Sequence, residues 1–197
     1  MSIDYYNKQA KKFIESTETA DMTEIYQRFE KYLPPKAAIL DLGSGTGRDS
    51  MYFLSKGYDV LAVDASEEMV KHSKLSLGDR VVLATFASFE TDKTFDGIWA
   101  CASLLHLDDK ELELTIHKYL GLLNLQGVFY MSFKKGDTDY NTNERYFNCF
   151  TQDTFIELIN RFPSTNILEL VETADVRPNR HDEKWINAII RKTESTI

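Results

Sequence analysis

The chain has 197 residues, 43% of them hydrophobic and 27% charged, and this composition is typical of a globular protein with one core. Its 31 acidic residues outnumber 23 basic ones, and the formal net charge of −8 disfavours DNA and RNA as partners. No apolar run approaches the roughly 20 residues of a membrane helix, and the N-terminus lacks a secretory signal, so we expect a cytoplasmic protein without membrane contact.

Two helices are predicted at the N-terminus. Apolar residues at helical spacing indicate a first helix over residues 3–14 and a second over 22–33, which Pro34 ends. We expect a single domain over residues 1–197, as a monomer or a homodimer, with residues 1–33 as the candidate for a lid.

Strands and helices then alternate along the chain. Strands are predicted at residues 37–42, 58–64, 81–86, 95–100, 127–133, 167–173 and 185–191, helices at 48–56, 66–77, 108–123 and 151–161, and a polar loop at 134–143. This order predicts an α/β fold, a Rossmann-like doubly wound seven-stranded sheet that is mostly parallel with an antiparallel last strand and has helices on both faces.

A glycine-rich turn after the first strand is the most informative motif. It contains Gly43, Gly45 and Gly47, which allow a tight turn and close approach of a ligand to the backbone. Asp64 ends the next strand about 20 residues later, where a carboxylate can accept hydrogen bonds from both ribose hydroxyls. The motif therefore predicts a nucleotide-type ligand.

Two neighbours of this turn distinguish the ligand classes. Arg48 occupies the place of the third glycine in nicotinamide and flavin sites, and the turn lacks the lysine of a P-loop. Asp41 places a carboxylate beside the loop, which would repel a pyrophosphate and suit a ligand with an ammonium group. Both features disfavour a dinucleotide.

The segments ILDLGSGTGR at residues 39–48 and VLAVDASEEMV at 60–70 resemble the first two motifs of class I S-adenosylmethionine-dependent methyltransferases. The resemblance extends over about residues 37–133 and implies S-adenosylmethionine as cofactor and S-adenosylhomocysteine as product. It implies that Gly43, Ser44 and Gly45 line the methionine moiety and that Asp64 holds the ribose. The cofactor-binding residues predicted in this way, with those of the turn, are Asp41, Gly43, Ser44, Gly45, Gly47, Arg48, Asp64, Ala65, Met69, Ser88, Phe89, Cys101 and Ser103.

The sequence departs from the family pattern at two places. The family often has an acidic residue after the third strand to meet the adenine amine, and here Ser88, backbone groups and a stacking Phe89 are the substitutes. Nucleobase amino-methyltransferases have an Asn/Asp-Pro-Pro-aromatic motif after the fourth strand, where this chain has Cys101-Ala102-Ser103-Leu104. The second departure favours a small-molecule acceptor.

The segment FDGIWACASLLHL at residues 95–107 resembles the fourth-strand motif of the same family. The resemblance implies that Cys101 and Ser103 face the cofactor and that His106 lies near the site of methyl transfer. His106 is the candidate general base, since the ordinary pKa of histidine is close to neutral. A structural histidine beneath the cofactor is an equal alternative.

The short segments GTGRDS, WACASLLH, SFK, RYF and DVRP are similar to those of small bacterial methyltransferases labelled tellurite-resistance-like. The similarity implies an acceptor site at the C-terminal edge of the sheet that attracts an anionic or electron-rich molecule. The substrate-side residues predicted there are Tyr6, Lys134, Arg145, Arg177 and Trp185.

Methyl transfer to a small-molecule nucleophile by in-line displacement is the function that these motifs favour. The alternatives are an NAD-type Rossmann oxidoreductase and a non-catalytic cofactor-binding protein on the same fold. We expect no metal, because His72, His117 and His181 lack the spacing of ligands.

Overall fold

One sheet organises the protein in a computed structural model that describes residues 2–18, 20–143, 145–177, 180 and 182–194. Its strands follow the order β3-β2-β1-β4-β5-β10-β9, with β8 paired to β5. Strands β1 to β5 are parallel, and β10 is antiparallel to both of its neighbours. This arrangement confirms the predicted Rossmann-like sheet, to which β8 adds a short strand. The strands are β1 Ala38–Leu42, β2 Asp59–Asp64, β3 Val81–Leu83, β4 Phe95–Ala100, β5 Leu123–Lys135, β6 Tyr140–Thr142, β7 Arg145–Phe147, β8 Cys149–Phe150, β9 Thr165–Ala174 and β10 Lys184–Lys192.

Both faces of the sheet are covered by helices. Because successive strand residues point to opposite faces, Ile98 of β4 enters one hydrophobic cluster with α6 and α7, and Trp99 enters another with α3 and α4. Parallel strands covered in this way are nearly continuous apolar runs, which is why β1 and β4 could be recognised in the sequence. The helices are α1 Ser2–Lys8, α2 Ala10–Thr17, α3 Thr23–Glu30, α4 Arg48–Ser55, α5 Glu67–Leu77, α6 Asp109–Leu122 and α7 Gln152–Ile159.

Side-chain caps define where several helices begin. Ser66 accepts a hydrogen bond from the Met69 amide at the start of α5, and Asp108 forms a capping box with Glu111 at the start of α6. The Ser66 cap places the N-terminus of α5 directly after Asp64, at the carboxyl end of the sheet.

Two of the segments that differ from the sequence prediction lie beside the cavity described next. The predicted helix over residues 3–14 is divided into α1 and α2 at Gln9, which has a non-helical backbone. The predicted polar loop over 134–143 is replaced by the end of β5 and a hairpin of β6 and β7, whose turn includes Asn143 in a left-handed conformation. The hairpin matters for function because it stands beside the cavity described next.

Candidate active site

A cavity of about 1870 Å³ lies at the carboxyl ends of the parallel strands. The glycine turn forms one end of it, and the β6–β7 hairpin and the start of β10 form the other. Open α/β sheets bind their ligands at this edge, and a pocket for one small molecule measures roughly 300–1,000 Å³. The cavity is therefore large enough for two small molecules side by side.

The glycine turn is a backbone structure that other residues could not adopt. Gly43 and Gly45 have φ angles of +72° and +53°, and the Gly43 amide donates to the Val63 carbonyl of β2 at 2.8 Å. A Cβ atom on Gly43 would lie 2.4 Å from the Cβ of Ser103. Ser103 is itself fixed, because its hydroxyl donates to the Leu42 carbonyl at 2.6 Å.

Asp64 connects this turn to the start of α5. Its two carboxylate oxygens accept hydrogen bonds from the Gly45 and Ser66 amides, each at 2.8 Å. Burial raises the pKa of Asp64 above its usual value. Since each carboxylate oxygen can accept a second hydrogen bond, Asp64 retains acceptor capacity beside the cavity it lines.

Ser44 has an unused polar group at the same end. Its hydroxyl oxygen is buried and has no hydrogen-bond partner among the described residues. Buried polar atoms are almost always satisfied, and an exception in a cavity wall indicates a group held for a ligand.

Two buried carboxyl groups near the turn differ in charge. Burial and then the neighbouring Asp49 raise the pKa of Asp41, whose carboxyl accepts a hydrogen bond from the Ser50 hydroxyl at 2.6 Å. Burial alone would also raise the pKa of Asp49, but the adjacent Arg48 charge and hydrogen bonds donated by side chains lower it. Asp49 is therefore the ionised member of the pair.

Asp49 also ties the turn to the core. It accepts hydrogen bonds from Arg48 Nε at 2.6 Å and from Trp99 Nε1 at 2.8 Å. Arg48 reaches in the other direction to the Thr17 carbonyl of α2 at 3.0 Å. The first two helices are thus attached to the turn, and Asn7 of α1 accepts a further hydrogen bond from the Ser66 hydroxyl at 2.7 Å.

The chain after β4 passes under the middle of the cavity. Ala102 has a φ of +52°, which is unusual for a residue with a Cβ, and its amide donates to the Ser132 hydroxyl at 2.8 Å. Burial, with a smaller effect of Asp49, raises the pKa of Cys101 to about 12. Cys101 is thus an uncharged thiol in the cavity wall, without the properties of a nucleophile.

His106 lies in the 3₁₀ turn Leu104–His106, between the two ends of the cavity. Its Nδ1 is 2.7 Å from the Tyr146 carbonyl and its Nε2 is 2.8 Å from the Tyr6 hydroxyl. Burial lowers the pKa of His106 to about 4, so the imidazole is neutral at physiological pH. The ring is enclosed by Tyr6 and Phe147, which accounts for this departure from the ordinary pKa of histidine.

Three of the predicted substrate-side residues form one cluster near β9 and β10. They are Lys134 of β5, Arg177 and Trp185. Arg177 binds both carboxylate oxygens of Asp175, Lys134 forms ion pairs with Asp175 and Glu183, and Trp185 donates to Asp175 at 3.1 Å. Lys134 also lies 4.1 Å from the Trp185 ring centroid. The positive charges of Lys134 and Arg177 are therefore already balanced by carboxylates.

Arg145 of the hairpin is in a different environment. Its guanidinium carbon lies 4.0 Å from the Tyr5 ring centroid and 5.0 Å from that of Phe147. Its buried Nε has no hydrogen-bond partner, and within the described ranges it forms no ion pair. Arg145 is therefore a cation of the cavity wall whose charge is stabilised by aromatic rings.

Known proteins resemble the chain in both sequence and structure. A methyltransferase-domain family model matches residues 39–127. An uncharacterized methyltransferase of Bacillus cereus is 29% identical over 134 residues, which are 64% of this chain and 63% of that protein. The chain thus spans less than two thirds of the length of this curated relative.

Solved structures extend the likeness to the whole chain. The Burkholderia thailandensis 1,6-didemethyltoxoflavin-N1-methyltransferase, solved with 1,6-didemethyltoxoflavin and S-adenosylhomocysteine, has a TM-score of 0.77 at 25% identity, covering 98% of this chain and 86% of that chain. The chain is thus similar to S-adenosylmethionine-dependent methyltransferases in both sequence and fold. TehB from Haemophilus influenzae, with a TM-score of 0.68 at 19% identity over 97% of this chain and 67% of that chain, shares the fold. The finer resemblance to the tellurite-resistance-like subgroup stays a prediction.

Most of the residues predicted for a methyltransferase site lie around this one cavity. On the cofactor side they include Arg48, Ala65 and Met69, and on the acceptor side all five predicted residues are present. The predicted residues that line the cavity are Tyr6, Gly43, Ser44, Gly45, Arg48, Asp64, Ala65, Met69, Cys101, Ser103, His106, Lys134, Arg145, Arg177 and Trp185.

Four predicted cofactor-binding residues do not line the cavity. Asp41 is turned into the core, and Gly47 packs against α5, where a Cβ would lie 3.0 Å from Leu77. Phe89 is 3% exposed and stacks on Tyr119 in the core, and the Ser88 hydroxyl bonds to Thr85 in a local turn. These interactions hold the side chains of Asp41, Ser88 and Phe89 and the Cα of Gly47 away from the cavity wall.

Among the cavity residues that the sequence analysis missed, two take the place of predicted ones. Asp49 supplies the ionised carboxylate that had been assigned to Asp41, and Phe86 lines the cavity where Phe89 was expected. The one available signal for Asp49 was its position directly after Arg48, in the first turn of the helix after the glycine motif.

No group of three or more candidate metal ligands occurs among the described residues, and His181 lies outside them. No helix in the described part of the chain has the length and apolar character needed to cross a membrane.

Proposed function

We propose that this protein is an enzyme that binds S-adenosylmethionine at the glycine turn and transfers its methyl group to a small-molecule nucleophile. The observation that supports this most strongly is the single cavity with two chemically different ends. One end offers the Asp64 carboxylate and the unpartnered Ser44 hydroxyl, and the other offers Arg145 and aromatic rings.

The residues at the glycine turn fit the proposed cofactor. Asp64 has acceptor capacity for ribose hydroxyls, and the Ser44 hydroxyl is free to bind the amino-acid end. Arg48 and ionised Asp49 form an ion pair that lines the cavity beside the turn, where a zwitterionic amino-acid group would meet charges of both signs. Ala65 and Met69, which the family resemblance places among the cofactor-binding residues, line the cavity and are the candidates to flank the adenine ring.

Methyl transfer from S-adenosylmethionine depends more on the alignment of the acceptor than on its activation. S-adenosylmethionine, when bound, supplies a methyl group on a positively charged sulfur, which is already electrophilic. The protein has to hold the acceptor in line at contact distance and keep water out. We assign water exclusion to α1 and α2, which act as a lid: α1 is attached to the Ser66 cap of α5 through Asn7, and α2 to Arg48 through the Thr17 carbonyl.

The hairpin end of the cavity best fits a small planar acceptor whose nucleophile is a nitrogen atom. Phe147 stacks on Tyr140 with ring centroids 4.9 Å apart, next to the Arg145 guanidinium. The Burkholderia neighbour, by its name, methylates N1 of the small molecule 1,6-didemethyltoxoflavin. At 25% identity this likeness supports the same acceptor chemistry here.

Calorimetry on the purified protein tests the cofactor half of the proposal. We expect S-adenosylhomocysteine to bind and NAD to give no heat of binding. Asp64→Asn should weaken S-adenosylhomocysteine about 10- to 100-fold, since a hydrogen bond to a charged group contributes about 1.5–3 kcal/mol. The control Asp59→Asn changes an exposed carboxylate of the same strand and should bind like wild type. NAD binding without S-adenosylhomocysteine binding would favour the oxidoreductase alternative.

A methylation assay tests the enzymatic half. Release of S-adenosylhomocysteine with a panel of small heterocyclic acceptors, starting with 1,6-didemethyltoxoflavin, should exceed the rate without acceptor. Tight cofactor binding with no methylation of any member of a broad metabolite panel would support a non-catalytic protein instead.

A further inference from the structure

The hydrogen bonds of His106 define which of its ring nitrogens holds a proton. The Tyr146 carbonyl can only accept a hydrogen bond, so Nδ1, at 2.7 Å, must donate and is protonated. Because the ring is neutral, Nε2 then has a lone pair and accepts from the Tyr6 hydroxyl at 2.8 Å. Both nitrogens of His106 are thus already used within the protein.

An acceptor molecule in the cavity can therefore form a hydrogen bond with Tyr6, whereas His106 has no free ring nitrogen to offer. Tyr6 lines the cavity, and its hydroxyl hydrogen is directed to Nε2, which leaves the oxygen lone pairs available. The ring is held by edge contacts with Tyr5, at 5.5 Å, and Phe13, at 4.9 Å. Tyr6 Oη is consequently a fixed hydrogen-bond acceptor on the acceptor side of the cavity.

We propose that Tyr6 is the residue that contacts the methyl acceptor and that it passes the acceptor's proton on to His106. This inference rests on the proposed methyl transfer. The acceptor's electron pair forms the new bond to the methyl carbon while the methyl–sulfur bond breaks and its electrons stay on sulfur. The acceptor's proton moves to Tyr6 Oη, and the Tyr6 hydroxyl proton moves to His106 Nε2. The positive charge lost from sulfur ends on the imidazolium, which then releases its proton to water.

Arg145 assists this transfer from the hairpin. Its guanidinium carbon is 5.9 Å from the Tyr6 ring centroid, and its positive charge favours negative charge on the Tyr6 oxygen. Burial raises the pKa of Tyr6, and Arg145 opposes that effect. The Asp64 charge raises the pKa of Tyr6 as burial does, and the Arg145 charge opposes both.

The relay selects a class of acceptor. The methylated atom must first hold a proton, and that proton must become strongly acidic on methylation, because the receiving imidazole is a weak base. A ring N–H of a heterocycle meets this condition. An alkylamine does not, since ammonium groups lose their protons only at about pH 10. The relay therefore favours a heterocyclic N–H over an alkylamine as the methylated group.

The proton positions can be tested without knowing the natural acceptor. In 15N-labelled protein loaded with S-adenosylhomocysteine at pH 7, His106 Nδ1 should give a protonated signal and Nε2 an unprotonated, hydrogen-bonded one. Tyr6→Phe should move the Nε2 signal toward that of a free unprotonated nitrogen and leave Nδ1 in place. The control Tyr146→Phe removes a hydroxyl that bonds to Asp139 but keeps the carbonyl, and both signals should stay. A proton on Nε2 in the wild-type protein would overturn the relay.

Kinetics separate the relay from a structural role of Tyr6. With 1,6-didemethyltoxoflavin as the probe acceptor, Tyr6→Phe and His106→Gln should each lower kcat about 100-fold. The double variant should be no slower than either single variant, because the two residues act as one unit. Affinity for S-adenosylhomocysteine should stay within twofold of wild type in all three. A Tyr6→Phe variant with the kcat of the wild type would contradict the relay. A wild-type protein that does not bind S-adenosylhomocysteine would contradict the proposed function instead.

Discussion

The two ends of the cavity are built in different ways. The cofactor end is formed mainly by a continuous stretch from β1 to the start of α5, in which backbone amides and left-handed glycines set the shape. The acceptor end combines α1, the 3₁₀ turn, the β6–β7 hairpin and β10, which are far apart in sequence, and side-chain stacking sets its shape. A site whose shape is set by the backbone tolerates few substitutions. A site whose shape is set by side chains can acquire a different ligand through substitutions that leave the fold unchanged.

Of the substitutions that test this difference, one at Gly43 should have the largest effect on stability and cofactor binding. In Gly43→Ala the new Cβ would lie 2.4 Å from the Ser103 Cβ, at a φ of +72° that alanine disfavours. We expect a loss of about 2–4 kcal/mol in the free energy of unfolding, from overpacking and backbone strain together, and no measurable S-adenosylhomocysteine binding. Chemical denaturation and calorimetry measure the two quantities.

Gly57 provides the matched control for Gly43. It has a φ of +87°, but a Cβ there would meet nothing within 4 Å. Gly57→Ala should therefore cost only the backbone strain, about 1 kcal/mol, and should retain cofactor binding. If both variants bound S-adenosylhomocysteine equally, the glycine turn would not be a backbone-defined site.

A smaller, pH-dependent effect is expected at the acceptor end. The pKa of His106 is about 4 in the folded protein against an ordinary value of 6.5, so below pH 6.5 the unfolded chain binds a proton that the folded protein does not. Stability should therefore fall as the pH drops from 6.5 toward 4, and His106 should account for roughly 1–2 kcal/mol of this loss by pH 5.

Urea denaturation between pH 7 and pH 5 measures this contribution. His106→Gln should lose less stability over this range than the wild-type protein does. His117→Gln, which changes an exposed histidine on α6, should follow the wild-type curve. A His106→Gln curve parallel to that of the wild type would show that the imidazole is not held in its neutral form.

The sequence predicted the secondary structure of the cofactor end better than that of the acceptor end, for a physical reason. Strands β1, β2 and β4 are continuous apolar runs, and the glycine turn and Ser66 cap follow from local backbone requirements. The hairpin was missed because β6, Tyr140–Thr142, has three exposed residues without an alternating apolar pattern.

Side-chain partners over long distances explain the other errors. Asp49 is ionised because of Arg48 beside it and of Trp99, which is 50 residues away. Asp41 loses its charge to burial beside Asp49. Phe89 turns to Tyr119 because β3 ends at Leu83, earlier than its apolar run suggested. None of these contacts follows from the spacing of residues along the chain.

The most direct test of the two-ended cavity is a crystal structure of the protein with S-adenosylhomocysteine. We predict ribose hydroxyls on Asp64, the amino-acid group beside Ser44 and Asp49, and the sulfur facing Tyr6 and His106, with the hairpin end still free for an acceptor. Density for the adenosyl group against Arg145 and Phe147, with the glycine turn unused, would contradict the account.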